Sequence, residues 1–221
     1  MKVFEILISG QLRKVLPEVR LGCLNAVVRA EPSDSGLLMQ IDETCDHLKN
    51  QYSIEEVSKA DVVAYTKNAY RKLGKDPSRY RPSAEALTRR VVQGKGLYRV
   101  NNIVDALNMI SIKHGFSIGG YDLDKIIGKI ELGIGKPDEP YEAIGRGLLN
   151  IENLPVLRDQ KGAFGSPTSD SMRTMVRDHT LNFLMVFFDF SGSGKLKDAL
   201  NDAEYIYRKY CRVKEIETSI Y

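Results

Sequence analysis

Long hydrophobic runs, clustered cysteines and clustered histidines are all missing from this sequence of 221 residues. No apolar run approaches the ~18 residues that a membrane-spanning helix needs, and the first residues lack the features of a secretory signal. We therefore expect no membrane partner and a cytoplasmic location. In that setting, three widely spaced cysteines (Cys23, Cys45 and Cys211) predict reduced, mostly buried thiols rather than disulfides.

The sequence contains no motif that indicates a metal site or a cofactor site. The three histidines are scattered, and neither a CxxC nor an HxxxH frame occurs around Cys45, so no metal and no cofactor are expected. The segment SGSGKL (191–196) lacks the first glycine and the final Ser or Thr of a phosphate-binding loop, and GxGxxG and GxSxG are both absent. A catalytic thiol at Cys45 or Cys211 stays an open alternative.

Basic residues are concentrated in one segment of a nearly neutral chain. Between residues 71 and 99, nine Lys and Arg face two acidic residues, a net charge of +7 that leaves −4 for the rest of a chain of net charge +3. Such a segment can bind a polyanion such as RNA, or it can be an ordinary solvated surface. Tyr80 and Tyr98 within it could stack on bases or belong to the core. The candidate RNA-binding residues are Arg79, Arg81, Arg89, Arg90 and Arg99.

The order of secondary-structure signals indicates an α+β fold and one compact domain over residues 1–221. Extended segments are predicted at 3–8 and 24–28, followed by a helical region over 36–73 and helices starting at Ser83 and Asn102. The second half predicts strands at 128–132, 154–157, 172–176 and 181–190, and then an amphipathic helix from Lys195.

Neutral polar groups gather at turns between Tyr98 and Ser171. Asn102, Asp105 and Asn108 are spaced i, i+3 and i+6, which places them near one helix face, although Asn101 or Asn102 can equally be a helix N-cap. Two adjacent glycines, Gly119 and Gly120, permit close backbone approach to a bound group. The loop GSPTSDS (165–171) offers hydroxyls and one carboxylate, or is an ordinary surface turn.

These segments together resemble a known family. YRVNNIVDALN (98–108), IGGYDLDK (118–125) and LPVLRDQKGAFGSPTSDS (154–171) are similar to the editing module of the bacterial phenylalanyl-tRNA synthetase β subunit, its third and fourth domains. The match is good from residues 98 to 125, moderate to 171 and weak before 71. The resemblance implies a layered sandwich of β-sheets with flanking helices. It also implies hydrolysis of tyrosine wrongly esterified to tRNA, in a stand-alone protein without synthetase activity.

Several positions depart from the family pattern. Asn108 matches an Asn that lines the family's editing pocket, whereas Leu107 replaces the neighbouring pocket Thr. Gly119 stands where the family has its pocket His, while Tyr121 keeps the aromatic residue before the Asp. The resemblance therefore implies a retained pocket with an altered specificity. Residues assigned to substrate binding are Asn102, Asn108, Gly119, Gly120, Tyr121, Arg146 and Ser169, and those assigned to catalysis are Asp170, as a base, with Ser166 and Thr168.

Three functions remain open at this point. The first is hydrolysis of a mischarged aminoacyl-tRNA in trans, with the basic segment holding the tRNA backbone. The second is a binding module for RNA or a small amino-acid-like ligand that keeps the pocket without the chemistry. The third is a structural or interaction protein in which the polar stretch has no role.

Overall fold

A central antiparallel sheet divides the protein into two cores. The computed structural model describes residues 1–221. The sheet has the strand order β10 (Glu215–Ile220), β2 (Arg20–Val27), β9 (Asn182–Asp189) and β3 (Ser117–Asp122). Side chains alternate along β9 between the two faces, as the period of two in a strand requires. Phe183, Met185 and Phe187 join one core, and Leu184, Val186 and Phe188 join the other.

A second sheet covers one face of the central sheet. It contains β1 (Ile6–Ile8), β4 (Ile130–Ile134), β7 (Pro155–Asp159) and β8 (Gly162–Gly165), in that order. β1 and β4 are parallel, and the other pairs are antiparallel. A short helix, α1 (Gly10–Val15), follows β1. The two sheets enclose a core that includes Tyr121 and Phe164.

Helices cover the opposite face and build the larger core. Four of them pack there: α2 (Ser35–Gln51), α5 (Ser83–Val92), α6 (Asn102–His114) and α7 (Lys195–Tyr210). Between α2 and α5 lie α3 (Ile54–Val57) and α4 (Asp61–Lys72). The layers are therefore helices, sheet and sheet, and the predicted α+β fold with layered sheets and flanking helices is confirmed. None of the helices combines the length and the apolar content that a membrane-spanning helix needs.

A small hairpin lies at one end of the sheet pair. Its strands are β5 (Glu142–Ala143) and β6 (Gly147–Leu148), and both Gly145 in its turn and Gly147 at the start of β6 have positive φ. Positive φ is a conformation that glycine adopts without the steric cost of a Cβ atom. Beneath the hairpin, a third apolar cluster contains Tyr70, Tyr141 and Ala143. The hairpin turn faces the candidate site described below.

Some elements differ from those the sequence predicted. The helical region over 36–73 is three helices. The chain is extended at Tyr52 and Ser53, where a capping box of Ser53 and Glu56 starts α3, and it leaves the helical conformation again at Ala60, before α4. The strand predicted at 172–176 is wrong: Met172–Thr174 form a 3₁₀ turn, started by Ser171, whose hydroxyl accepts a bond from Arg173 N–H. The three cysteines are free and buried.

Candidate functional site

A cavity of about 900 Å³ opens between α5, α6 and β3. The turn of the β5–β6 hairpin and the 166–170 loop complete its wall. Its volume lies in the range of small-molecule and cofactor sites. Residues that the sequence singled out far apart in the chain meet here: Arg81, Arg89, Arg90, Asn108, Gly120, Arg146, Ser166, Thr168, Ser169 and Asp170.

Asp170 is the one acidic side chain that lines this cavity. Its Oδ1 accepts a 2.7 Å bond from the Tyr121 hydroxyl, and its Oδ2 accepts a 3.2 Å bond from Gly120 N–H. Asp170 as a whole residue is half-buried, and it lines the cavity. Burial raises the pKa of Asp170 to about 7, against the opposing effect of these hydrogen bonds. Both protonation states are thus accessible near neutral pH.

Tyr121 supports this carboxyl from the core between the sheets. Its ring is fully buried and packs edge-on against Phe164, with 5.0 Å between ring centroids. The ring lies over Gly119 on its own strand and against Gly165 on β8, and a Cβ atom at either glycine would overlap the Tyr121 hydroxyl. The absence of a side chain at Gly119 therefore makes room for the Tyr121–Asp170 pair. Gly119 and Tyr121, assigned to substrate binding from the sequence, lie behind the cavity wall.

The hydroxyls of Ser166 and Thr168 are already bonded within the protein. Ser166 Oγ donates to the Ser169 carbonyl at 2.9 Å and accepts from the backbone amides of Thr168 and Ser169. Thr168 Oγ1 shares a 2.9 Å bond with the Tyr70 hydroxyl, and the Tyr141 hydroxyl donates to the Ser169 carbonyl at 2.6 Å. Ser166 and Thr168 are both buried. These bonds fix the loop that presents Asp170.

Other polar groups face the cavity without a partner in the protein. The side-chain amide of Asn108 and the hydroxyl of Ser169 both line the wall, and neither makes a hydrogen bond to another protein group. Arg146, at the exposed hairpin turn, has no carboxylate within ion-pair distance. These groups are available to a ligand.

Asn102 does not reach the cavity, contrary to the sequence interpretation. Its Oδ1 accepts a bond from Glu31 N–H, and its Nδ2 donates to the carbonyls of Arg29 and Tyr210. Six residues turn an α-helix by ~600°, so Asn102 and Asn108 lie ~120° apart around α6 rather than on one face. Asn101 is the N-cap of α6, accepting a bond from Val104 N–H.

The basic segment contains both paired and unpaired cations. Arg81 and Arg89 both contact the buried Glu85, whereas Arg99 pairs with Asp42 at 2.7 Å, away from the cavity. Arg79 is exposed and also lies outside the cavity wall. Arg90 forms no ion pair and stacks on Tyr98 at the cavity rim, with 4.0 Å between its Cζ and the ring centroid. The segment is thus not a uniform solvated face.

An apolar wall completes the cavity, and Leu107 is the one residue of it that the sequence had singled out as a pocket residue. Leu87, Leu107, Ile118, Met175 and Val176 contribute to it. Tyr70 and Tyr141, which hold the 166–170 loop, were also missed. Tertiary contacts alone reveal these roles, since buried leucines and tyrosines are most often ordinary core residues.

A second cavity, of about 740 Å³, lies near the end of α6. His114 is on its wall and contacts Asp202 at 2.8 Å, and Asp202 also pairs with Lys113. This cavity contains none of the sequence-predicted site residues. No group of three or more His, Cys, Asp or Glu side chains anywhere in the chain is arranged to hold a metal ion. The candidate site is therefore the cavity around Asp170.

Comparison with known proteins identifies the family to which this chain belongs. Among curated proteins, none matches this sequence. An N-terminal fragment of the phenylalanyl-tRNA synthetase beta-subunit from Pyrococcus horikoshii is similar in structure, with a TM-score of 0.45 and 13% sequence identity. The similarity covers 92% of this chain and 50% of that fragment, so the chain spans about half of its length. Residues 66–220, which include the whole cavity, match the family model of the B3/4 domain. The chain belongs to the B3/4 domain family, a module of phenylalanyl-tRNA synthetase β subunits.

Proposed function

We propose that the cavity hydrolyses the ester of a mischarged aminoacyl-tRNA, with Asp170 as the general base. The observation that carries the proposal is the position of Asp170, a carboxyl with a pKa of about 7 in a cavity whose other charged side chains are all cationic. A general base is most effective when its pKa is close to the working pH, and an ordinary aspartate is too weak a base for that. The basic wall of the cavity and the B3/4 family both support a tRNA partner.

The reaction needs one activated water and a site for the developing oxyanion. Asp170 takes a proton from the water as its oxygen attacks the ester carbonyl, which gives a tetrahedral intermediate. The unpartnered Asn108 amide and Ser169 hydroxyl are the donors available to its oxyanion. The intermediate then collapses, the proton passes from Asp170 to the leaving ribose hydroxyl, and the amino acid is released. Loss of one such donor typically costs ~10²–10³ in rate.

Ser166 and Thr168 take a positioning role in this mechanism rather than the catalytic role inferred from the sequence. Their hydroxyls are engaged with Ser169, Tyr70 and the loop backbone. A hydroxyl acting as a nucleophile needs a base within hydrogen-bond reach, but both of these hydroxyls bond only to backbone groups or to a tyrosine. Gly120 is also excluded as an oxyanion donor, because its N–H already bonds to Asp170 Oδ2.

Cations around the cavity mouth suit the phosphates of the tRNA. Arg81, Arg89, Arg90, Lys95 and Arg146 all lie on the wall, and Arg90, Lys95 and Arg146 have no carboxylate within ion-pair distance. Phosphate contacts of this kind position a nucleic acid without reading its sequence. They also make binding weaker as salt concentration rises.

The acyl group of the substrate would contact the apolar wall. Leu107 and Ile118 line the same cavity as Asp170, and Leu107 Cδ1 packs tightly against Gly120. The position at which the family has its pocket histidine is filled by the Tyr121 hydroxyl. We therefore expect an amino acid with an apolar side chain to be cleaved in preference to tyrosine.

A panel of mischarged tRNAs tests the proposal. The chain is incubated with tRNAs that carry different amino acids, and release of each amino acid is compared with its spontaneous rate. We expect at least one apolar aminoacyl ester to be cleaved well above that rate, and Asp170→Asn to abolish the excess. If every ester decays at its spontaneous rate, the catalytic proposal is wrong. Salt-sensitive tRNA binding without turnover would instead favour a non-catalytic binding module.

A further inference from the structure

Arg90 and Tyr98 form a stacked pair at the rim of the Asp170 cavity. The guanidinium Cζ lies 4.0 Å from the centroid of the Tyr98 ring, and both residues line the cavity wall. We propose that this pair is a stacking site for the unpaired nucleobase at the end of a single-stranded RNA. The inference rests on the proposed function in one respect: this nucleotide is the one that carries the ester into the cavity.

The charge of Arg90 is not balanced within the protein. No carboxylate lies within ion-pair distance of it, whereas its neighbour Arg89 contacts Glu85 at 2.9 Å. Its Nε is shielded from solvent and has no hydrogen-bond partner. A half-buried guanidinium without a neighbouring anion raises the free energy of the folded protein, because the charge loses hydration and gains no ion pair in return. A phosphate next to the stacked base would supply the missing anion.

Tyr98 is open to a further partner. The residue is 56% exposed, although its neighbour Leu97 is buried in the core. A large aromatic ring held by an arginine at a cavity mouth is suited to base stacking, since every base has an aromatic face. Arginine favours the same arrangement through its planar guanidinium.

Tyr80 does not share these properties. Lys75 Nζ lies 3.8 Å from the centroid of the Tyr80 ring, which packs partly buried against the cluster around Tyr70 and Tyr141. Tyr80 is also not part of the cavity wall. Of the two tyrosines in the basic segment, Tyr98 alone combines exposure, a stacked cation and a place at the cavity.

Binding of the trinucleotide CCA, with a fluorescent label at its 5′ end, tests the stacking site without any hydrolysis. Fluorescence anisotropy gives its dissociation constant with the full chain and with the variants Tyr98→Ala, Tyr98→Phe and Arg90→Gln. Loss of one stacked base should weaken binding about tenfold in Tyr98→Ala, whereas Tyr98→Phe should remain within about twofold of wild type. Arg90→Gln should also reduce the slope of log Kd against log salt concentration by about one or less, because one phosphate contact is lost.

Tyr205→Ala is the matched control. Tyr205 is 59% exposed and has Lys209 Nζ 5.7 Å from its ring centroid, but it lies on α7 and outside the cavity. We expect its affinity for CCA to equal that of wild type. The stacking site is contradicted if Tyr98→Ala binds as tightly as wild type, if Tyr205→Ala weakens binding equally, or if CCA does not bind.

Failure of this inference and failure of the proposed function are separable. If CCA binding depends on Tyr98 but no aminoacyl ester is cleaved, the stacking site stands and the catalytic proposal fails. If esters are cleaved through Asp170 while CCA affinity is the same in wild type and Tyr98→Ala, the stacking site is wrong and the catalytic proposal stands.

Discussion

The hydroxyl of Tyr121 donates a 2.7 Å hydrogen bond to Oδ1 of Asp170, and this bond links the buried core between the two sheets to the candidate site. The Tyr121 ring is held by Phe164 and is closely bounded by Gly119 and Gly165. Asp170 is thereby fixed by a residue that does not itself line the cavity. The geometry of the proposed base thus depends on packing in the core.

Tyr121→Phe should raise the pKa of Asp170 further above its ordinary value. The Tyr121 hydrogen bond stabilises the carboxylate and lowers that pKa, in opposition to the larger effect of burial. Carbon-detected NMR titration of the Asp170 carboxyl measures the shift directly. Tyr207→Phe is the control, since it removes a buried hydroxyl that bonds to the Ile103 carbonyl, remote from Asp170. An unchanged or lower pKa in Tyr121→Phe would contradict the assigned role of the bond.

The stability of Asp170→Asn relative to wild type should increase as pH rises from about 4 to 7. In this window the folded carboxyl, with a pKa of about 7, holds a proton that the unfolded chain has lost. Wild-type stability therefore falls with pH, by at most ~1.4 kcal/mol per pH unit for one proton, and the variant lacks that loss. Denaturant unfolding of both proteins at several pH values checks this. A stability difference that is independent of pH would show that the pKa of Asp170 is not raised by folding.

Gly119→Ala and Gly165→Ala should each destabilise the protein. The added methyl group would overlap the Tyr121 ring, which is enclosed and cannot move away freely. Overpacking of this kind typically costs ~1–3 kcal/mol. Gly10→Ala is the matched control, because Gly10 has no atom near its Cβ position and an ordinary negative φ. Equal thermal unfolding of all three variants would contradict the packing described for Tyr121.

Two asparagines on the same helix should behave in opposite ways. Asn102→Ala removes a side chain that bonds three backbone groups, so we expect a loss of about 2–3 kcal/mol of stability. Asn108→Ala should leave stability within ~0.5 kcal/mol but slow ester cleavage at least tenfold, since its amide has no protein partner and faces the cavity. If Asn108→Ala cleaves esters at the wild-type rate, Asn108 is not an oxyanion donor.

The sequence predicted much of the fold because its strong signals are local. β9 and α7 follow from an unbroken apolar run and a regular amphipathic pattern. β3 was not predicted, because Gly119 and Gly120 have low strand propensity, and the strand is instead held by its pairing with β9 and by the Tyr121 ring. β10 and α1 are short elements that also depend on tertiary contacts.

The sequence predicted which residues form the site better than it predicted the role of each. Small polar residues at turns drew attention to Ser166 and Asp170, and the cavity contains both. The sequence could not show that the Asp170 carboxyl has a pKa near neutral pH, whereas the Ser166 hydroxyl is fully engaged in hydrogen bonds within its own loop. Nor could it separate Arg90 from Arg99, because the difference lies in whether a distant carboxylate such as Asp42 comes into contact.

The pH dependence of ester cleavage, measured in single turnover on the aminoacyl-tRNA that is cleaved fastest, tests the central claim most directly. Spontaneous hydrolysis, which also rises with pH, is subtracted at each point. The rate should increase about tenfold per pH unit below pH 7 and level off above it, as Asp170 with its pKa of about 7 loses its proton. Asp170→Asn should show no excess rate at any pH. A wild-type rate that does not change between pH 5.5 and 8.5, or an Asp170→Asn variant as fast as wild type, would contradict the account.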